Sequence, residues 1–184
     1  LDIRDVIMLV RTLFAQPEKG WVLIRGAHYP WQQIFGRFML PLVFLSTLAV
    51  VYILQPQVEG APDLSPNQLF LITLTGSAGS ILLGGYLIAA LTPRFKGISS
   101  MDMAVALVSF AYAPVFLASV IASLHPSLQL LNLVAMVYML YLYFKGTGIL
   151  MEVPRDRQMG FTVVSIIILF VVRLFTAFIL AAFL

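Results

Sequence analysis

Residues 103–124, MAVALVSFAYAPVFLASVIASL, set the class of this chain. These 22 residues carry no charge, and a helix of that length rises about 33 Å, enough to cross the ~30 Å hydrocarbon core of a bilayer. Asp102 stands before the stretch as a helix cap. His125-Pro126 ends it, because proline lacks the N–H that a continuing helix needs. Backbone in hydrocarbon must satisfy its own polar groups, and no alternating ten-residue barrel pattern is present, so the stretch reads as a transmembrane helix.

Four more apolar stretches flank it, at about 38–54, 69–91, 128–144 and 161–184. The first is followed by the turn-rich, acidic, proline-containing run Gln55 to Asp63, and the second is ended by Thr92-Pro93. The composition agrees: 61% of the 184 residues are hydrophobic, 10% are charged and the mean hydropathy is +0.99, against roughly 45–50% apolar residues in soluble domains. The expected fold is therefore an all-α integral membrane protein with five transmembrane helices preceded by N-terminal cytoplasmic amphipathic helices. Residues 1–35 form the cytoplasmic segment and 36–184 the five-span domain. No cysteine is present, which excludes disulfides, thiolate zinc sites and cysteine nucleophiles.

The basic residues orient the spans. Arg4, Arg11, Lys19, Arg25 and Arg37 precede the first, Arg94 and Lys96 lie between the second and third, and Lys145, Arg155 and Arg157 between the fourth and fifth. The loops at 55–68 and 125–127 carry none. By the excess of Lys and Arg on cytoplasmic loops, the N-terminus is expected inside and the C-terminus outside, in a cell (inner) membrane. The same reading makes the basic pI a topology signal, and no nucleic-acid partner is expected.

Ahead of the first span, Ile3, Val6, Ile7, Val10, Leu13 and Phe14 recur at helical spacing, with Asp2 as N-cap and Asp5 in the first turn. Charge interleaves with these residues, unlike the continuous apolar core of a signal peptide. Gln16-Pro17 interrupts the pattern, and Trp21-Val22-Leu23-Ile24 forms a second amphipathic stretch before Tyr29-Pro30-Trp31. The apolar face of residues 2–25 is expected either to lie among lipid headgroups or to pack on the ends of the spans.

Catalytic constellations are lacking in the sequence. His28 and His125 fall on opposite sides of the membrane, no H-E-x-x-H or G-x-S-x-G occurs, and no carboxylate lies at mid-membrane, so neither enzymatic activity nor a cofactor is expected. Gly76, Ser80 and Gly84 form a small-residue stripe on the second span, suited to close helix packing within the chain or to association with another copy or another membrane protein. Pro114 should kink the third span and free the Phe110 carbonyl. Tyr138, Tyr141 and Tyr143 suggest an interfacial belt on the fourth.

Arg173 lies thirteen residues into the fifth span, where a charge costs at least ~2.5–3.5 kcal/mol on insertion scales. Counting inward places Ser46, Ser80, Tyr112 and Tyr138 near its level. Arg173 is expected to donate to the Phe110 carbonyl and to one or more of these hydroxyls, joining the third and fifth spans. The alternatives are snorkelling to the membrane surface or binding an anion or lipid headgroup.

Pro17 with Trp21, the run Ala111-Tyr112-Ala113-Pro114, and Tyr138 to Gly146 (YMLYLYFKG) occur in an order that resembles the Yip family of Ypt/Rab-interacting five-span membrane proteins, in particular its short prokaryotic members. The resemblance implies a five-helix membrane fold with a cytosolic N-terminus and no agreed biochemical activity. Eukaryotic relatives act with Rab GTPases in Golgi and endoplasmic-reticulum vesicle traffic. This chain lacks their long cytosolic N-terminal region, so a Rab-type GTPase is not expected as its partner. The expected function is that of a non-enzymatic membrane-organising or partner-binding module with membrane lipids among its partners. The alternative is a small transporter or channel for an anionic or lipid-like solute centred on Arg173.

Overall fold

The computed structural model describes residues 1–54 and 65–183, with side chains throughout except at positions 177 and 180–183. The run Gln55 to Asp63 and the final residue lie outside the described residues. Helices α1 (Ile3–Ala15) and α2 (Pro17–Ala27) form an N-terminal hairpin. Five helices long and apolar enough to cross a membrane follow: α3 (Trp31–Leu54), α4 (Pro66–Leu91, continued by a 3₁₀ turn to Phe95), α5 (Met101–Ala122), α6 (Leu130–Leu150) and α7 (Arg155–Phe183). No strand occurs among the described residues.

The helices begin and end at different residues from the apolar stretches, because caps set helix ends whereas hydropathy marks only the part in lipid. The first spanning helix starts at Trp31, seven residues before Phe38, and contains π-helical turns at Phe35–Met39 and Val50–Leu54. The second starts at Pro66, where Ser65 and Gln68 form a capping box. Ser100 caps the third, accepting from Met103 N–H, so Asp102 is not the cap; its carboxylate instead accepts from the Trp31 N–H at 2.7 Å. The fourth continues to Leu150, past Lys145-Gly146, and the fifth starts at Arg155, six residues before Phe161.

α5 is the centre of the bundle. Two thirds of its most apolar window is buried, against 22–44% for the other spans. Ala104, Ala106, Ala111, Ala113, Ala118 and Ala122 are all buried, and such small side chains let neighbouring backbones approach closely, which drives helix association in lipid. Phe38 of α3 stacks on Phe110 of α5, with ring centroids 4.5 Å apart. The helix runs past Pro114, itself buried, without ending there. α5 packs on α3, α4 and α6, while α7 packs chiefly on α4 and α6. The expected direct joint between the third and fifth spans is thus replaced by one between the second and fifth.

Candidate functional site

The hairpin is fastened along α6. The Trp21 indole donates to the Leu142 carbonyl at 3.0 Å, the Tyr138 hydroxyl to the Phe14 carbonyl at 2.8 Å, and Arg25 to the Ile149 carbonyl at 3.2 Å. Lys145 pairs with Glu18 at 2.7 Å and Arg25 with Glu152. Phe14, near the end of α1, meets Tyr138, while on α2 Trp21 meets Leu142 and Arg25 meets Ile149, so α2 runs beside α6 towards the basic end of the bundle. The Lys145 ammonium holds the Glu18 carboxyl below the usual carboxylate range. Burial and the neighbouring Asp5 carboxylate, which accepts from the Tyr29 hydroxyl, push Tyr29 up.

Two glycines make this docking possible. A Cβ at Gly20 would fall within contact distance of the Leu13 backbone, 2.8 Å from its nitrogen, so α1 and α2 touch backbone to backbone there. A Cβ at Gly146 would come 2.9 Å from the Trp21 ring, so the indole seats against bare α6 backbone. The crossing at Gly20 also sets the rotation of α1. Leu9 and Leu13 are buried and Val6, Val10 and Phe14 half-buried, whereas Ile3 and Ile7, expected on the same side of the helix as Val6, Val10, Leu13 and Phe14, are exposed. The packed face is centred on Leu9 and Leu13, at one edge of the apolar stripe. The open side of the hairpin therefore combines Ile3, Ile7, Met8, Val22 and Leu23, all exposed, with Arg4, Arg11 and Lys19.

The residues counted to the level of Arg173 divide into two groups. Ser46 donates to the Val43 carbonyl of its own helix, and Tyr138 is committed to Phe14, so neither is a partner of Arg173. Tyr112 and Ser80 do line one small cavity with Arg173, about 20 Å³, together with Ser77, Val108 and Phe116. The hydrogen bond from Arg173 goes to Ser77 Oγ at 3.3 Å, in place of the Phe110 carbonyl or the predicted hydroxyls. No other hydrogen-bond partner of the guanidinium occurs among the described residues, and Arg173 is exposed. Ser77 and Thr176 were missed by counting levels. Both are legible as helical neighbours, Ser77 three residues before Ser80 and Thr176 three after Arg173.

Close packing within the chain accounts for the small-residue stripe of α4. Ser80 bonds to the Gly76 carbonyl and lies 2.9 Å from the Thr176 hydroxyl, and Leu169 covers Gly84. The tyrosines of α6 do not form one belt. Tyr141 is exposed and Tyr138 half-buried, while Tyr143 is wholly buried. The Ser109 hydroxyl has no hydrogen-bond partner among the described residues.

A helical hairpin docked on a bundle of five apolar helices defines a polytopic α-helical membrane protein. A family model described as the Yip1 domain matches residues 11–178, nearly the whole chain, and the chain belongs to that family. Comparisons with curated proteins and with solved structures gave no match.

Proposed function

We propose that the protein is a non-enzymatic membrane-organising module of a cell (inner) membrane, N-terminus inside and C-terminus outside, that works through its N-terminal hairpin and the lipids of the cytoplasmic leaflet. One observation carries this reading: the hairpin is fixed to α6 yet leaves an apolar and basic side open. Phe14, at the hairpin tip, meets Tyr138, seven residues before Lys145 on the same helix, which is about 10 Å along the axis. With Lys145 at the level of the phosphates, Ile3, Ile7, Met8, Val22 and Leu23 enter the acyl boundary while Arg4, Arg11 and Lys19 extend back to the headgroups. Volume added to one leaflet and rigidly tied to a transmembrane bundle bends or locally orders that leaflet.

The test is reconstitution of the full chain in vesicles of mixed neutral and anionic lipid, with vesicle diameter and protein clustering measured against protein density. The natural chain is expected to narrow the vesicles or cluster within them, and a variant with Ile3, Ile7, Met8 and Val22 replaced by Ser to do neither. Equal behaviour of the two would reject the reading.

A second reading, a small transporter or channel for an anionic or lipid-like solute at Arg173, is favoured by the single described partner of that guanidinium. The adjoining cavity of about 20 Å³ has room for little more than one water molecule, which weighs for the first reading.

A further inference from the structure

We propose that the groove between α2, α6 and the start of α7 binds one anionic phospholipid, with its phosphate at Lys145 and Arg155 and an acyl chain along the outer face of α6. The inference rests on the hairpin reading only in requiring α2 as one wall. The groove has a volume of about 620 Å³, and its polar lining is Lys145, Arg155, Gln158 and Glu18. Lys145 is held by Glu18, and the Gln158 amide donates to the Phe144 carbonyl, whereas Arg155 has no hydrogen-bond or ion-pair partner among the described residues. Nearby charges are otherwise paired, Arg25 with Glu152 and Arg157 with Asp156. Two cations and one carboxylate leave one net positive charge in the groove, the complement of a phosphodiester monoanion. A guanidinium offers that group paired N–H donors.

What makes the ligand a lipid is the surface continuous with the groove. Leu133, Val134, Val137, Tyr138 and Tyr141 line an apolar furrow of about 450 Å³ on α6. Tyr141 joins the two, since the Lys145 ammonium lies 6.0 Å from its ring centre. From Lys145 to Leu133 is twelve residues, about 18 Å of helix, close to the half-thickness of a ~30 Å hydrocarbon core. Phosphate site and furrow thus match one lipid of one leaflet, headgroup to chain end.

The experiment is native mass spectrometry of the full chain released from micelles containing equal phosphatidylglycerol and phosphatidylcholine. The natural chain is expected to retain phosphatidylglycerol preferentially. Arg155→Gln, which breaks no described ion pair, should lower that preference about tenfold, as should Lys145→Gln, whereas Arg94→Gln, which removes the same charge elsewhere at this end, should leave it unchanged. Filling the furrow with Val137→Trp should reduce retention of the lipid. Melting curves would establish that each variant is folded. An unchanged preference in folded Arg155→Gln would overturn the proposal, as would displacement of the lipid by inorganic phosphate or by the chainless headgroup. Loss of the lipid preference with vesicle narrowing intact would separate this site from the action of the hairpin, and a natural chain that retains the lipid yet neither narrows the vesicles nor clusters in them would reject only the hairpin reading.

Discussion

The Trp21 indole and the Leu142 carbonyl, 121 residues apart in sequence, meet at 3.0 Å with the ring wholly buried against Gly146. That relationship makes the N-terminal hairpin part of the bundle and sets its depth on α6. Truncating a buried tryptophan costs about 3–5 kcal/mol, so Trp21→Ala should release the hairpin and leave the five spans assembled. Spin labels at Val22 and Tyr141 would report the separation, and an unchanged distance would show that Trp21 is not the fastening.

The backbone contact at Gly20 leads to a sharper expectation. Even Gly20→Ala places a methyl against the Leu13 backbone, which cannot yield as a flexible side chain can. The angle between α1 and α2 should open, widening the distance between labels at Ile7 and Val22, both exposed. At Gly26, where an added Cβ meets nothing within 4 Å, the same substitution should have no effect on that distance.

Docking of the hairpin should weaken in acid. The Glu18 carboxyl is held below its ordinary value by Lys145, so its contribution is present above the free carboxylate pKa and is lost as pH falls through the depressed one. The pair is exposed and the effect correspondingly small. Glu18→Gln should abolish this part of the pH dependence, seen in the same label distances between pH 6 and 3. A dependence that persists in Glu18→Gln would assign it to another group.

Arg173→Leu removes a charge that costs at least ~2.5–3.5 kcal/mol near the bilayer centre, in exchange for one hydrogen bond to Ser77. The variant should insert and fold as well as the natural chain. If Arg173 is instead a solute site, the fold persists and anion association is lost, which titration with radiolabelled anions in vesicles would detect.

Orientation is testable directly. The charge asymmetry leads us to expect a reporter active only outside the cytoplasm to give signal when fused after Leu184 and none when fused at Lys96. The reverse pattern would invert every statement about which leaflet the hairpin enters.

The five spans were legible because crossing hydrocarbon is a local requirement: some 20 apolar residues, with backbone hydrogen bonds made inside each segment, suffice wherever the rest of the chain goes. The family was legible from Pro17, Trp21, the Tyr112–Pro114 run and the tyrosine-rich end of the fourth span for the same reason, since these are local in sequence. Contacts between helices were not, because they depend on rotation about each axis. A shift of one residue turns a helical face by about 100°. Counting depth placed Ser80 and Tyr112 correctly beside Arg173, but put Ser46 and Tyr138 there too, and overlooked Ser77. The apolar periodicity of α1 was visible, yet the backbone contact at Gly20 chose Leu9 and Leu13 as its buried centre and left Ile3 and Ile7 outside. Sequence alone thus determined what crosses the membrane, whereas only the tertiary structure decided which side of each helix is spent on the bundle and which remains for lipid.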